Sequence, residues 1–282
     1  MKSNITITHK DKVIGHDKFL FSGGEVQVRL HPIEKIKRDD SPIIITANIY
    51  DSDGIMELFL LTDALQRFDI VEFAPVHLVI PYLPYARQDR SCHPGEAFSL
   101  DVMLRMLRRI GYYEKITVYD VHSDVALTGT KIENLTAVNW VKEIPTYYDA
   151  IVAPDKGAYN RALLCATERN NRMLVGEKIR DPNDGKITGV KVAYNGAMID
   201  VDRWQNVSLL IVDDICDGGR TFIEIAKVLK PVAKKIDLYV THGIFSNGLK
   251  VFGDLIDTVY TANLFPNKHD VSDVKVLDRR IL

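Results

Sequence analysis

The feature that most constrains this chain is an alternation that runs twice. Short apolar runs at 43–49, 76–80, 116–121, 150–153, 173–175, 207–212, 236–240 and 258–260 are separated by segments with helical spacing. Several runs are apolar throughout, which marks strands covered on both faces. Between them, 55–68 carries Ile55, Leu58, Phe59, Leu61, Thr62 and Leu65 on one broad face, and 99–110 and 221–229 repeat the spacing. Strands alternating with helices predict an α/β fold of mostly parallel sheets flanked by helices. The first series ends near residues 140–148 and the second starts at Asp149, so a boundary is expected near Pro145.

Composition narrows the partners. A chain of 282 residues suits one large or two medium domains. A net charge of −2 gives no strongly basic surface, so nucleic acid is not expected. No apolar run approaches the roughly 18 residues that span a bilayer. The opening Met1-Lys2-Ser3-Asn4-Ile5-Thr6 leads into no apolar region of a signal peptide. Cys92, Cys165 and Cys216 form neither a CxxC nor a zinc pattern, so a reducing cytoplasm is the expected location.

In open α/β sheets, ligands collect beyond the carboxyl ends of strands. That rule points to the residues after Ile80, Val121, Ala153 and Val212. The densest segment is Leu209-Leu210-Ile211-Val212-Asp213-Asp214-Ile215-Cys216-Asp217-Gly218-Gly219-Arg220-Thr221. It reads as a strand up to Val212, a tight acidic, Gly-rich loop and a helix start. Backbone N–H groups of such a loop and helix N-terminus attract phosphate. The acid pair can accept hydrogen bonds from sugar hydroxyls, directly or with a bound cation. An ordinary helix-start turn is the plain alternative. Two acids directly after a buried-type strand favour a phosphorylated sugar.

Four further segments lie at strand ends or beside them. In Pro81-Tyr82-Leu83-Pro84-Tyr85-Ala86-Arg87-Gln88-Asp89-Arg90, the arginines offer forked guanidinium groups to phosphate and Gln88 can read a base or ribose. The plain alternative is a solvated loop. Asp120 and His122 share a face if their strand continues, and could then ligate a divalent cation or its waters; a lone histidine is otherwise structural. Asp155 either caps helix 158–168 or holds a Mg²⁺ that neutralises a polyphosphate, and the two roles are compatible. Lys178 and Arg180 alternate, so an extended chain points both the same way. They are protective charges on an edge strand, or two cations on a lid over a phosphoryl-transfer site. No G-x-x-x-x-G-K-[ST] and no G-x-G occurs, so the P-loop and the dinucleotide fingerprint are excluded.

Together these segments resemble the ribose-phosphate pyrophosphokinase (PRPP synthetase) family, over nearly the whole chain. Phe21-Ser22-Gly23-Gly24-Glu25 resembles its adenine-contacting loop. Residues 53–58 and 62–65 resemble its first long helix. Tyr82 to Arg90 resembles its PY-x-x-YARQD-R/K signature. Asp120, His122 and Asp124 resemble its D-x-H-x-D run, and Asp155 its second metal-linked acid. Lys178 and Arg180 resemble the paired cations of its flexible loop. Residues 211–221 resemble the ribose-5-phosphate loop shared with type I phosphoribosyltransferases, and residues 241–246 a late ATH-x-x-FS segment. Three departures stand out: Gly23 in the adenine loop, the segment 91–99, and Arg220 where the family has glycine. A side chain at Arg220 crowds the phosphate cradle, points away from it, or adds a cation to it.

The resemblance implies two similar phosphoribosyltransferase-like domains. Residues 1–145 would carry ATP-binding elements. Residues 146–282 would carry the sugar-phosphate loop and flexible loop, with an option for the last residues to pack on the first domain. It implies transfer of a diphosphoryl group from ATP to ribose 5-phosphate, with Mg²⁺ as cofactor. Lys178, Arg180 and His122 would be catalytic. Phe21, Glu25, Arg87, Gln88, Asp89 and His122 would bind ATP, with Phe21 and Glu25 coming from a neighbouring subunit of a homo-oligomer, at least a dimer. Asp213, Asp214, Asp217, Gly218, Gly219, Arg220 and Thr221 would bind ribose 5-phosphate. His122, Asp155 and Asp120 would bind metal. The rivals are a phosphoribosyltransferase that consumes PRPP and a non-catalytic sensor of PRPP or nucleotide.

Overall fold

The chain divides into two units, Met1–Leu135 and Thr136–Leu282. The computed structural model describes residues 4–10, 12–31, 41–67, 74–111, 113–180, 187–194, 196–199 and 204–277. The last residues, 278–282, whose packing the resemblance left open, lie outside the described residues.

The first unit opens with β1 (Asn4–His9), β2 (Lys12–Ile14), β3 (His16–Leu20) and β4 (Val26–Leu30). It continues with β5 (Ile43–Asn48), α1 (Ser52–Arg67), β6 (Val76–Ile80), α2 (Ser99–Ile110), β7 (Tyr113–Tyr119) and β8 (Ile132–Leu135). Its main sheet has the order β2-β1-β5-β6-β7-β8. Strands β5 to β8 are parallel, and β1 is antiparallel to both neighbours. Ile43, Ile45, Leu78, Ile80 and Val118 are wholly buried in it. Each such burial stabilises by about 1.5–3 kcal/mol over exposure, which holds these runs in the sheet interior. Helix α2 buries Leu100, Met103, Leu104 and Leu107, the i, i+3, i+4, i+7 stripe of a helix laid on a sheet.

Helix α1 buries the expected Leu58, Phe59, Leu61, Thr62 and Leu65, and also Glu57. That carboxylate is held by Lys18 Nζ at 2.7 Å and His16 Nε2 at 3.5 Å. Both partners lie on β3, which forms a separate two-stranded hairpin with β4. The hairpin packs on α1 through β4, and the buried ion cluster ties β3 to the same helix.

The second unit comprises α3 (Val138–Val141), β9 (Ala150–Ala153), α4 (Tyr159–Glu168), β10 (Arg172–Arg180), β11 (Ile187–Tyr194) and β12 (Ala197–Met198). Then follow β13 (Val207–Cys216), α5 (Arg220–Leu229), β14 (Ala233–Gly243), β15 (Thr258–Leu264) and β16 (Lys275–Val276). Residues 136–148 belong with this unit for a local reason. The Arg169 guanidinium donates to the carbonyls of Val141, Ile144 and Thr146 at 2.7, 2.9 and 2.6 Å.

The second sheet has the order β12-β11-β10-β9-β13-β14-β15-β16. Parallel pairs run from β10 through β9, β13, β14 and β15 to β16. All four residues of β9 are wholly buried, as a strand covered on both faces requires. From β9 the chain passes to β10 on one side and later returns to β13 on the other. A reversal of strand order leaves a crevice at the carboxyl ends, where open α/β sheets place ligands. Among the described residues, no helix is long and apolar enough to cross a membrane.

Candidate functional site

The crevice between β9 and β13 contains the acid pair. Strand β13 does not stop at Val212, as the apolar run predicted, but continues through Asp213 and Asp214 to Cys216. The reason is β14, which runs on to Gly243 and supplies partners for Asp213 (Val240), Ile215 (His242) and Cys216 (Gly243). The acids are therefore strand residues, and only Asp217, Gly218 and Gly219 form the loop.

Both acids are withdrawn from solvent, with side chains 16% and 7% exposed for Asp213 and Asp214. The Asp214 N–H donates to Asp213 Oδ1 at 2.9 Å. Arg161 Nη1 lies 3.3 Å from Asp213 Oδ1 and 3.7 Å from Asp214 Oδ1. Burial and the adjacent Asp214 charge hold the Asp213 carboxyl well above the usual carboxylate range, against the opposing pull of Arg161. Sequence reading missed Arg161. Its signal was position: it interrupts a stripe of small buried residues formed by Ala158, just before α4, and Ala162, Cys165 and Ala166 on it.

The loop after the acids is clamped from one side. Ile244 N and Phe245 N donate to the Cys216 carbonyl at 2.9 and 3.0 Å, and Ser246 N donates to that of Asp217 at 3.1 Å. Asn247 Nδ2 reaches the Gly218 carbonyl at 3.2 Å. Asn267 Nδ2 in turn holds the carbonyls of Ile244 and Phe245 at 2.6 and 2.8 Å. Gly219 has φ of 82° and lies against the Phe252 ring, a conformation and a contact that favour glycine. Helix α5 starts at Arg220 with no side chain capping it; Phe222 N and Ile223 N donate to the Gly219 carbonyl at 3.1 and 3.0 Å, which leaves the N–H groups of Arg220 and Thr221 at the loop. Arg220 is exposed and Thr221 half-buried.

Asp155 follows β9 at the same end of the sheet. Its Oδ1 accepts from Gly157 N at 2.9 Å and Ala158 N at 3.3 Å, closing the turn ahead of α4. Beyond β9, β10 leaves the body of the sheet. It pairs with β9 only over Arg172 to Val175, then continues against β11 alone. Gly176 is where it crosses the Pro154 carbonyl, which any Cβ would overlap. Lys178 pairs with Val190 and Arg180 with Ile187, with a register shift between Ile179 and Arg180. The side chains of Lys178 and Arg180, and residues 181–186, lie outside the described residues.

In the first unit, the segment after β6 is anchored by Leu83 and Ala86, both 2% exposed, which leaves Arg87 and Gln88 at the surface. Asp89 lies half-buried, 3.7 Å from Arg90. After β7, the expected shared face of Asp120 and His122 is not formed. The strand ends at Tyr119, Asp120 turns to a φ of 40°, and its N–H donates to the Leu135 carbonyl at 2.7 Å. Asp120 is therefore buried while His122 is exposed. Phe21 and Glu25 occupy the tip of the β3–β4 hairpin, closed by Phe21 N to Glu25 O at 2.9 Å and Gly24 N to Phe21 O at 2.8 Å. Phe21 is 57% exposed there.

Residues 3–111 match the model of the N-terminal domain of ribose phosphate pyrophosphokinase. A ribose-phosphate pyrophosphokinase of Pyrococcus abyssi is 31% identical over 268 residues, covering 92% of this chain and 86% of that one. The Thermococcus kodakarensis protein of the same name is 31% identical, covering 87% and 84%. The phosphoribosylpyrophosphate synthetase structure from Mycobacterium smegmatis superposes with a TM-score of 0.70 at 20% identity, over 94% of this chain and 86% of that one, a likeness of fold. By its 31% identity across 92% of its length, the chain belongs to the ribose-phosphate pyrophosphokinase family.

Proposed function

We propose that this chain carries out its family's reaction on ATP and ribose 5-phosphate, giving PRPP and AMP. The anomeric hydroxyl of the sugar attacks the β-phosphorus of ATP and releases its proton. The bond from that phosphorus to the α,β-bridging oxygen breaks, and AMP leaves. The observation that carries this reading is the end of β13, where a buried acid pair leads into a clamped Gly-rich loop and an uncapped helix N-terminus. Vicinal hydroxyls suit the first feature and a phosphate suits the second. The relatives that establish the family are pyrophosphokinases, so the transferase and sensor readings are not favoured.

The residue roles follow from this. Asp213 and Asp214 accept from ribose hydroxyls, and Asp217, Gly218, Gly219, Arg220 and Thr221 surround the 5-phosphate. Arg87, Gln88, Asp89 and His122 hold ATP. Phe21 and Glu25 embrace adenine as residues of a neighbouring subunit, in a homo-oligomer of at least two chains in the cytoplasm. Lys178 and Arg180, with His122, stabilise the charge that develops on the transferring group.

Mg²⁺ fits the donors present. Among the described residues, no three His, Cys, Asp or Glu side chains gather into a metal cage. Mg²⁺ does not need one, because it keeps waters and uses one or two carboxylates with substrate phosphates. In the second unit Asp155, with Oδ1 already fixed by two backbone N–H groups, would hold it, and in the first unit the exposed His122 is a candidate ligand, whereas buried Asp120 does not share its face. When bound, it would neutralise phosphate oxygens of ATP. The test is AMP release from ATP with and without ribose 5-phosphate. Sugar-dependent AMP supports the reading; AMP that forms equally without sugar, or not at all from folded protein, removes it.

A further inference from the structure

Two carboxylates on successive strand residues, both largely buried, repel each other at close range. Arg161 is the cation placed against both. Its own side chain is only 11% exposed, and one nitrogen, Nη1, serves the two acids from a single point. Each carboxylate thus has one oxygen turned to the guanidinium. Asp213 Oδ1 is fixed further by the Asp214 N–H. An acceptor pair locked this way is matched to a vicinal diol, which presents two adjacent hydroxyl donors. A protonated acid would instead present a competing donor; burial and the Asp214 charge push Asp213 toward that form, and Arg161 is what opposes them.

Arg161 reaches this position by local construction. The loop through Asp155 returns the chain from β9 onto the sheet, and α4 packs on β9, β10 and β13. The small residues Ala158, Ala162, Cys165 and Ala166 let the helix approach closely. Arg161 lies among them in the first turn, level with the end of β13.

We infer that Arg161 is a positioning residue that locks Asp213 and Asp214 as paired acceptors, and thereby sets selection for sugar phosphates that carry a 2,3-diol. The inference rests on the sugar-binding reading of β13 given above. It concerns discrimination between substrates, not the transfer step, and Arg161 itself touches no reacting atom.

The experiment compares ribose 5-phosphate with 2-deoxyribose 5-phosphate on wild type, R161Q and R161K, after thermal melting has confirmed folding. For R161Q the KM for ribose 5-phosphate rises at least about 30-fold, as truncation of a buried charge pair commonly produces. The KM for ATP stays within about twofold. The ratio of kcat/KM for the ribose over the deoxyribose substrate falls by about tenfold, because the lost order acts through the hydroxyls. R161K keeps the charge without the fork and recovers part of both losses. If R161Q does not fold, the same ratio is read on R161K. A folded variant that keeps wild-type sugar discrimination overturns the inference, and so does an equal rise in both KM values. If wild type releases no AMP, the reaction reading fails instead. Calorimetric binding of the two sugar phosphates to wild type and R161Q then decides the role of Arg161 by the same ratio.

Discussion

The proposed sugar side of this protein and its proposed nucleotide side are built to different standards. At the end of β13 the acids are buried, paired to Arg161 and followed by a loop clamped through five backbone carbonyls and two asparagines. In the first unit, Arg87, Gln88, His122, Phe21 and Glu25 all lie exposed, on turns or at a hairpin tip. The first arrangement holds its shape without a ligand. Under the proposed function, the second would supply side chains that take their final positions when a polyphosphate arrives. Under that proposal, preorganisation is concentrated where hydroxyl geometry would be read, while the nucleotide side would rely on charge and on stacking surface.

The deepest cut through this contrast lies on the β10–β11 arm, which shares a unit with the braced site yet extends past the sheet. K178A and R180A each lower turnover by about 100-fold or more, the usual cost of removing a cation that acts in the transition state. Melting temperatures stay at the wild-type value, because β10 is held there by backbone pairing with β11. AMP release under saturating substrates measures the first and calorimetry the second. Turnover within about threefold of wild type in both variants would remove the arm from the chemistry.

Next in size is G219A. A Cβ at φ of 82° adds about 1–2 kcal/mol of backbone strain and also presses on the Phe252 ring. The expected result is a melting temperature lower by several degrees, roughly 2–4 °C per kcal/mol, together with weaker ribose 5-phosphate binding. On the exposed side the two effects separate. R87A raises the KM for ATP by about 10-fold through loss of a charge-assisted hydrogen bond, and leaves melting unchanged to within about 1 °C. Should R87A destabilise the fold as much as G219A does, the contrast between the two sides would collapse.

How much of this was legible in the sequence depends on what each residue's neighbours do. The run at 150–153 was readable because a strand buried on both faces must be apolar throughout. The end of β13 was misplaced because Asp213 and Asp214 look like terminators, and only β14, pairing alongside them, shows that the strand continues. The Asp120–His122 face failed for a comparable reason: a positive φ at a non-glycine residue has no pattern in sequence. Strands β1 to β4 contain no continuous apolar run. In β1 only alternate residues, Ile5 and Ile7, are buried. Arg161 and Glu57 were hidden by the habit of assigning helix charges to solvent. Both are charges whose partners come from strands distant in sequence.

Glu57 gives the mildest and most local prediction. Burial pushes its carboxyl pKa up, but the hydrogen bonds from His16 and Lys18 and their charges pull it down further, to below the ordinary value. A carboxylate whose folded pKa is depressed adds stability that is present at neutral pH. That stability is lost as pH falls through the folded value. Lys18 is 34% exposed, so solvent screens part of the attraction, and about 1 kcal/mol is expected from the tie. Amide exchange in β3 and β4, corrected for its intrinsic rate, therefore quickens in wild type as pH drops from about 7 to about 3. In E57Q it is already faster at neutral pH and changes less with acid. Because Phe21 and Glu25 sit at the tip of this hairpin, E57Q raises the KM for ATP by about threefold and leaves that for ribose 5-phosphate unchanged. Equal protection of β3 and β4 in wild type and E57Q across that range would mean that packing of β4 on α1 alone holds the hairpin. The exposed nucleotide side would then be anchored by apolar contact, and pH would reach it only through the ligand.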